Sequence, residues 1–87
     1  MAKVSIATSS TSALAAASTP SKIVILENLG SNNVWCNIGA TAVVDTGFVL
    51  KPSVGPYIFH CADFAELNSA INAIAETGAT DISAQRI

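Results

Sequence analysis

Any chemistry in this 87-residue chain would have to pass through a single histidine. His60 is followed at once by Cys61 and, two residues later, by Asp63. A thiol or hydroxyl nucleophile needs a base within hydrogen-bond reach and a further group to orient that base. The chain has many serines, so a triad around His60 can be drawn, but nothing in the spacing selects one. Neighbours along a strand point to opposite faces, which separates His60 from Cys61. A reactive thiol also wants a basic group beside it. A structural zinc takes four closely spaced ligands, and Cys36 is the only other thiol. The carboxylates are too sparse for a calcium loop, and the glycines at 30, 39, 47, 55 and 78 never cluster into a phosphate cradle. The sequence therefore assigns no catalytic residue, no metal ligand and no cofactor, and it does not read as an enzyme. His60 reads as a strand histidine at a surface or a subunit contact. Cys36 and Cys61 read as small buried hydrophobes, able to pair only if their Cα atoms approach within about 7 Å.

The elements that would position these residues are mostly strands. Lys22 to Asn37, KIVILENLGSNNVWCN, reads as strand, turn and strand. Ile23 to Leu26 is an unbroken apolar run, expected to be covered on both faces. Gly30, Asn32 and Asn33 tolerate positive φ, so the segment predicts a hairpin. Before it, Val4 and Ile6 alternate with polar residues and predict a strand over residues 3–8. An Ala-rich link with Leu14 as its anchor follows, as a second extended segment or as an arm ordered by a neighbour. After the hairpin, Phe48-Val49-Leu50 and Tyr57 to Cys61 read as strands. The latter puts Tyr57, Phe59 and Cys61 on one face and Ile58 and His60 on the other. Phe64, Leu67, Ile71 and Ile74 then recur at helical spacing. With Asp63 and Glu66 as a capping pair and Gly78 as terminator, they predict a helix from Asp63 to Thr77. Residues 80–87 close the chain as a strand. The expected fold is mainly β, a small β-sandwich or barrel of six to seven short strands with one helix near the C-terminus. One domain is expected, with residues 1–20 as an N-terminal strand or arm and 21–87 as the β domain.

Composition points to company. Charged residues are 11% of the chain and hydrophobic ones 51%, whereas charge makes up roughly 25% of an average soluble protein. So small a fold cannot clothe itself in charge, and its surface is expected to be covered by other copies or by a larger assembly. The four basic residues, Lys3, Lys22, Lys51 and Arg86, form no stripe, which argues against direct nucleic-acid binding. No apolar run approaches the ~20 residues of a membrane span. The first residues lack the apolar core of a signal peptide, so synthesis in a cytosol is expected.

The order of the pieces carries a resemblance. A leading VSIATSST strand and an alanine-rich link precede KIVILENLGSNNVWCNIG, then GFVLKPS, YIF and AIAETGATDI. This succession resembles small β-rich virion structural proteins of tailed bacteriophages, of the capsid decoration or cement kind. Residues 66–70 depart from the pattern by lengthening the closing loop. The resemblance implies a non-enzymatic component of the virion, made in the host cytoplasm. Its partners would be the major capsid protein or other virion proteins, and it would be a homo-oligomer, a trimer by analogy with three-fold shell sites. A place at the neck, tail or fibre base, or a β-sandwich module binding carbohydrate or a receptor, is the alternative.

The interface candidates follow from packing. Val4 and Ile6 lie on a leading strand suited to edge pairing with a neighbour. Trp35 and Tyr57 are aromatic anchors of the kind that dominate interface centres. Phe59 is better explained as core. Trp35 points away from the face shared by Val34, Cys36 and Ile38, which favours contact.

Overall fold

The computed structural model describes residues 2–62 and 65–87. Eight strands form two four-stranded antiparallel sheets. They are β1 (Ala2–Ile6), β2 (Thr11–Leu14), β3 (Ile23–Asn28), β4 (Val34–Ile38), β5 (Phe48–Leu50), β6 (Tyr57–His60), β7 (Ile71–Ala75) and β8 (Thr80–Arg86). Sheet A has the order β1-β8-β3-β6 and sheet B the order β2-β7-β4-β5. β1 meets β2 and β7, β2 meets β8, and β3 meets β5 across the gap, so the sheets lie face to face.

The core is the set of inward residues of both sheets. Ile6, Val24, Leu26 and Ile82 from sheet A pack with Val34, Cys36, Leu50, Ile71 and Ala73 from sheet B, all fully buried. The alternation that predicted strands is the alternation that fills the interior, since successive side chains leave a strand on opposite faces. In β3, Val24, Leu26 and Asn28 are buried while Ile23, Ile25 and Glu27 are half-buried. That strand is thus covered fully on one face, not on both as its apolar run suggested.

Two further expectations are corrected. The segment from Lys22 to Asn37 is not a hairpin, because β3 belongs to sheet A and β4 to sheet B. Residues 29–33 form an arch that carries the chain across the sandwich. Gly30 serves by lacking a side chain, since a Cβ there would stand 2.5 Å from Thr80 Cγ2. The left-handed positions among the described residues are Gly39, Asp45, Gly47, Ser53 and Gly55, and none falls in this arch.

The helix expected from Asp63 to Thr77 is also absent as such. Asp63 and Phe64 lie outside the described residues. Ala65–Asn68 forms a single 3-10 turn, and Ile71–Ala75 is a strand. The apolar spacing at 67, 71 and 74 suits a helix, but Ile71, Ala73 and Ala75 alternate equally well. Those three are the buried residues, between β2 and β4. Tertiary pairing on both edges overrides the local helical preference of an alanine-bearing segment. The sandwich therefore has eight strands, and no helix stands near the C-terminus among the described residues beyond that one turn.

The N-terminal twenty residues are integral to both sheets. β1 pairs with β8 and β2 with β7. The inward anchor of β2 is Ala13, at 6% exposure, while Leu14 is half-buried after a register shift between Ser12 and Leu14.

Candidate functional site

His60 and Cys61 diverge as expected. His60 is exposed on the outer face of sheet A, and Cys61 is buried. Both cysteines are free thiols. Burial pushes the Cys36 thiol up from its ordinary value of 9.0 to about 12, because a thiolate loses its hydration inside the sandwich. That is the opposite of activation. Among the described residues no three His, Cys, Asp or Glu side chains gather as a metal site.

The surfaces available for recognition are the two outer faces and the strand edges. Alternation assigns Ile23 and Ile25 of β3 and Ile58 of β6 to the outside of sheet A, with Ile25 directly opposite Ile58. Ile87 continues β8 and exchanges backbone hydrogen bonds with Ile23, at 2.9 and 3.2 Å. Ile58 and Ile87 are each 55% exposed. Four isoleucines thus form one apolar patch toward the β6 edge. Charge on this face lies at Glu27, beyond Ile25 on β3, and toward the opposite edge, where Lys3 of β1 and Asp81 of β8 form an exposed ion pair at 3.8 Å.

On the outside of sheet B, Trp35 of β4 lies between Ile74 of β7 and Val49 of β5, all three half-buried. The indole Nε1 is sealed from solvent and meets no acceptor among the described residues. Asn37 and Asn72, opposite each other in the next row, tie down the loop after β4. Asn37 Nδ2 donates to the Thr41 carbonyl at 3.2 Å, and Asn72 Nδ2 to the Ala40 carbonyl at 2.7 Å. The backbone N–H of Ala42 donates to Ser10 Oγ at 3.0 Å, which anchors that loop to the start of β2.

The predicted interface residues are placed apart. Ile6 is fully buried and Val4 half-buried against the core, so the strand edge of β1 is at the surface while its apolar side chains face inward. Tyr57 packs half-buried against the core and accepts the Lys51 N–H at 3.4 Å. Trp35 alone of the four presents its ring on an outer sheet face. Phe59 packs on Phe48 with ring centroids 5.2 Å apart. These two rings, Ile38, Glu66 and Leu67 line a cleft of about 180 Å³. Comparison with protein-family models, curated proteins and solved structures finds no match. What the chain can do is therefore read from these surfaces.

Two polar residues missed by the sequence reading organise the framework. Buried Asn28 donates from Nδ2 to the Asn32 and Leu50 carbonyls, both at 2.7 Å, and its Oδ1 accepts the Gly30 N–H at 2.9 Å. It thereby holds the arch and links β3 to β5. The Arg86 guanidinium donates to the Leu67 carbonyl, to Ala15 at 2.9 Å and to Ser69 at 3.2 Å. It closes one end of the sandwich. The only sequence signal for Asn28 was a polar residue at an inward position of an apolar strand. For Arg86 there was none.

A wider groove of about 460 Å³ runs between Lys3, Ser5, Gly30, Asn32, Thr80 and Asp81. No aromatic lines it. A carbohydrate platform would want an exposed ring beside such polar groups. Trp35 lies on the other sheet and Tyr57 faces the core.

Proposed function

We propose that this chain is a non-enzymatic virion structural protein, most specifically a decoration protein that stabilises a capsid by seating between neighbouring subunits. The observation that carries the reading is the outward Trp35, flanked by Ile74 and Val49 on a sheet face without formal charge in that row. Such a row offers a rigid aromatic anchor in an apolar surround, which is the composition of interface centres. The shortage of charge and the order of sequence motifs support the same reading. Each seated copy removes apolar surface from water, at about 25 cal/mol per Å², less the ordering cost of association. A small net gain per copy multiplies over a shell.

The test is binding of the purified chain to empty heads assembled from the shell protein of the same genome, followed by co-sedimentation. Trp35→Ala is expected to weaken binding more than about tenfold, a loss of roughly 1.4 kcal/mol, with the domain still folded. A variant that binds as wild type, or that simply melts, removes Trp35 from the assignment. Binding to tails or fibres instead of heads would move the same surface to that part of the particle.

A further inference from the structure

Among the described residues four strand edges are open, those of β1, β6, β2 and β5, and three are blunted. β5 is only three residues long. β2 has a register shift in its middle. β1 carries Lys3, in its ion pair with Asp81. Short length, irregularity and an edge lysine are the usual devices that keep sheet edges from pairing with another chain. β6, Tyr-Ile-Phe-His, has no Lys, Arg, Asp or Glu and no register shift in its pairing with β3.

The phase of its ladder is set by Cys61, whose N–H donates to the Lys22 carbonyl at 2.9 Å. Backbone groups alternate sides along a strand. Tyr57 and Phe59 therefore turn their N–H and C=O toward β3, and Ile58 and His60 turn theirs outward. The outward groups have no partner among the described residues. Pro56, next in the outward series, has no N–H to give and ends the ladder there. On the face beside this edge lies the patch of Ile23, Ile25, Ile58 and Ile87.

We propose that β6 pairs antiparallel with β6 of a second copy across a two-fold axis at Phe59. Ile58 of each copy then exchanges both backbone hydrogen bonds with His60 of the other, four bonds in all. The two A sheets join into one eight-stranded sheet, and the two isoleucine patches become continuous. An edge without formal charge meets its own image without like-charge repulsion, so a second copy fits it. The inference is independent of the capsid reading and replaces the three-fold expectation with a two-fold one.

Sedimentation equilibrium of the full chain should give twice the chain mass of 8.9 kDa, with Ile58→Lys sedimenting at the single mass. The Ile58 side chain is outward, so that variant stays folded, which its circular dichroism and unfolding midpoint check. If Ile58→Lys does not fold, wild-type hydrogen exchange decides instead. The Ile58 and His60 amides should slow as protein concentration rises, while those of Tyr57 and Phe59 are slow throughout. A monomer at millimolar concentration, a trimer, a dimer untouched by a folded Ile58→Lys, or fast exchange at Ile58 and His60 in the dimer would each overturn the proposal. Head binding by a monomer would leave the capsid reading standing alone, and a dimer that ignores heads would leave only this one.

Discussion

Cys36 shows what a single inward position does to a side chain. Its thiol is fully buried and held neutral, with its pKa raised by desolvation from 9.0 to about 12. The unfolded chain therefore releases this proton more readily than the folded one. Its contribution to stability is whole below about pH 9 and is lost progressively between about pH 9 and pH 12. Over that interval wild type should lose up to about 1.4 kcal/mol per pH unit more than Cys36→Ala. Denaturant midpoints of the two proteins at pH 7, 9 and 10.5 check the difference, and parallel curves would disprove it. Asn28 is the polar counterpart. Its amide answers two carbonyls and one N–H inside the fold. Asn28→Ala leaves those groups without partners, each at a cost of about 1 kcal/mol or more. A loss of roughly 3 kcal/mol is expected by urea denaturation.

At the scale of elements, the molecule is made of segments that change sheets. β1 passes to β2, β3 to β4, β5 to β6 and β7 to β8, each time crossing between sheets. Crossings replace hairpin turns there, so the loops rather than the ladders hold the ends together. Arg86 ties down two further crossings, β2 to β3 through the Ala15 carbonyl and β6 to β7 through the carbonyls of Leu67 and Ser69. Arg86→Ala should lower stability by about 2 kcal/mol, the scale of hydrogen bonds from a charged group. Arg86→Lys should recover only part of it, because an ammonium lacks the planar fork that reaches several carbonyls. Thermal unfolding of the three proteins measures this, and full recovery by lysine would contradict it.

For the whole molecule, the accessible surface is 4575 Å², close to the roughly 4,800 Å² expected for a compact monomer of this mass. The chain is closed on itself in area. What is unusual is the makeup of that surface, with 11% charged residues overall and one ion pair among the described residues. Raising sodium chloride from about 50 mM to about 1 M should therefore barely move the unfolding midpoint, since exposed pairs contribute about 0–1 kcal/mol and are screened. A midpoint falling by more than a few degrees would show ionic support that these residues do not supply. Light scattering with and without empty heads tests the assembly reading at the same scale.

Strand positions were legible along the chain because alternation is local. Val4 and Ile6, and Tyr57 and Phe59, each announce an inward face within a few residues, whereas the unbroken run from Ile23 to Leu26 marks a strand without saying which face is buried. The outward direction of Trp35 followed from the same period, and the buried state of both cysteines from the apolar character of a free thiol. Partnership was not legible. Whether Val34 to Ile38 returns beside β3 or crosses to the other sheet depends on contacts far away in the chain, among them Asn28 with Leu50 and Gly30 with Thr80. Residues 71–75 are the sharpest case, since isoleucine and alanine there satisfy a helical and an extended spacing alike. Only the two strands waiting on either side, β2 and β4, choose between them, because backbone groups between two ladders are satisfied by pairing.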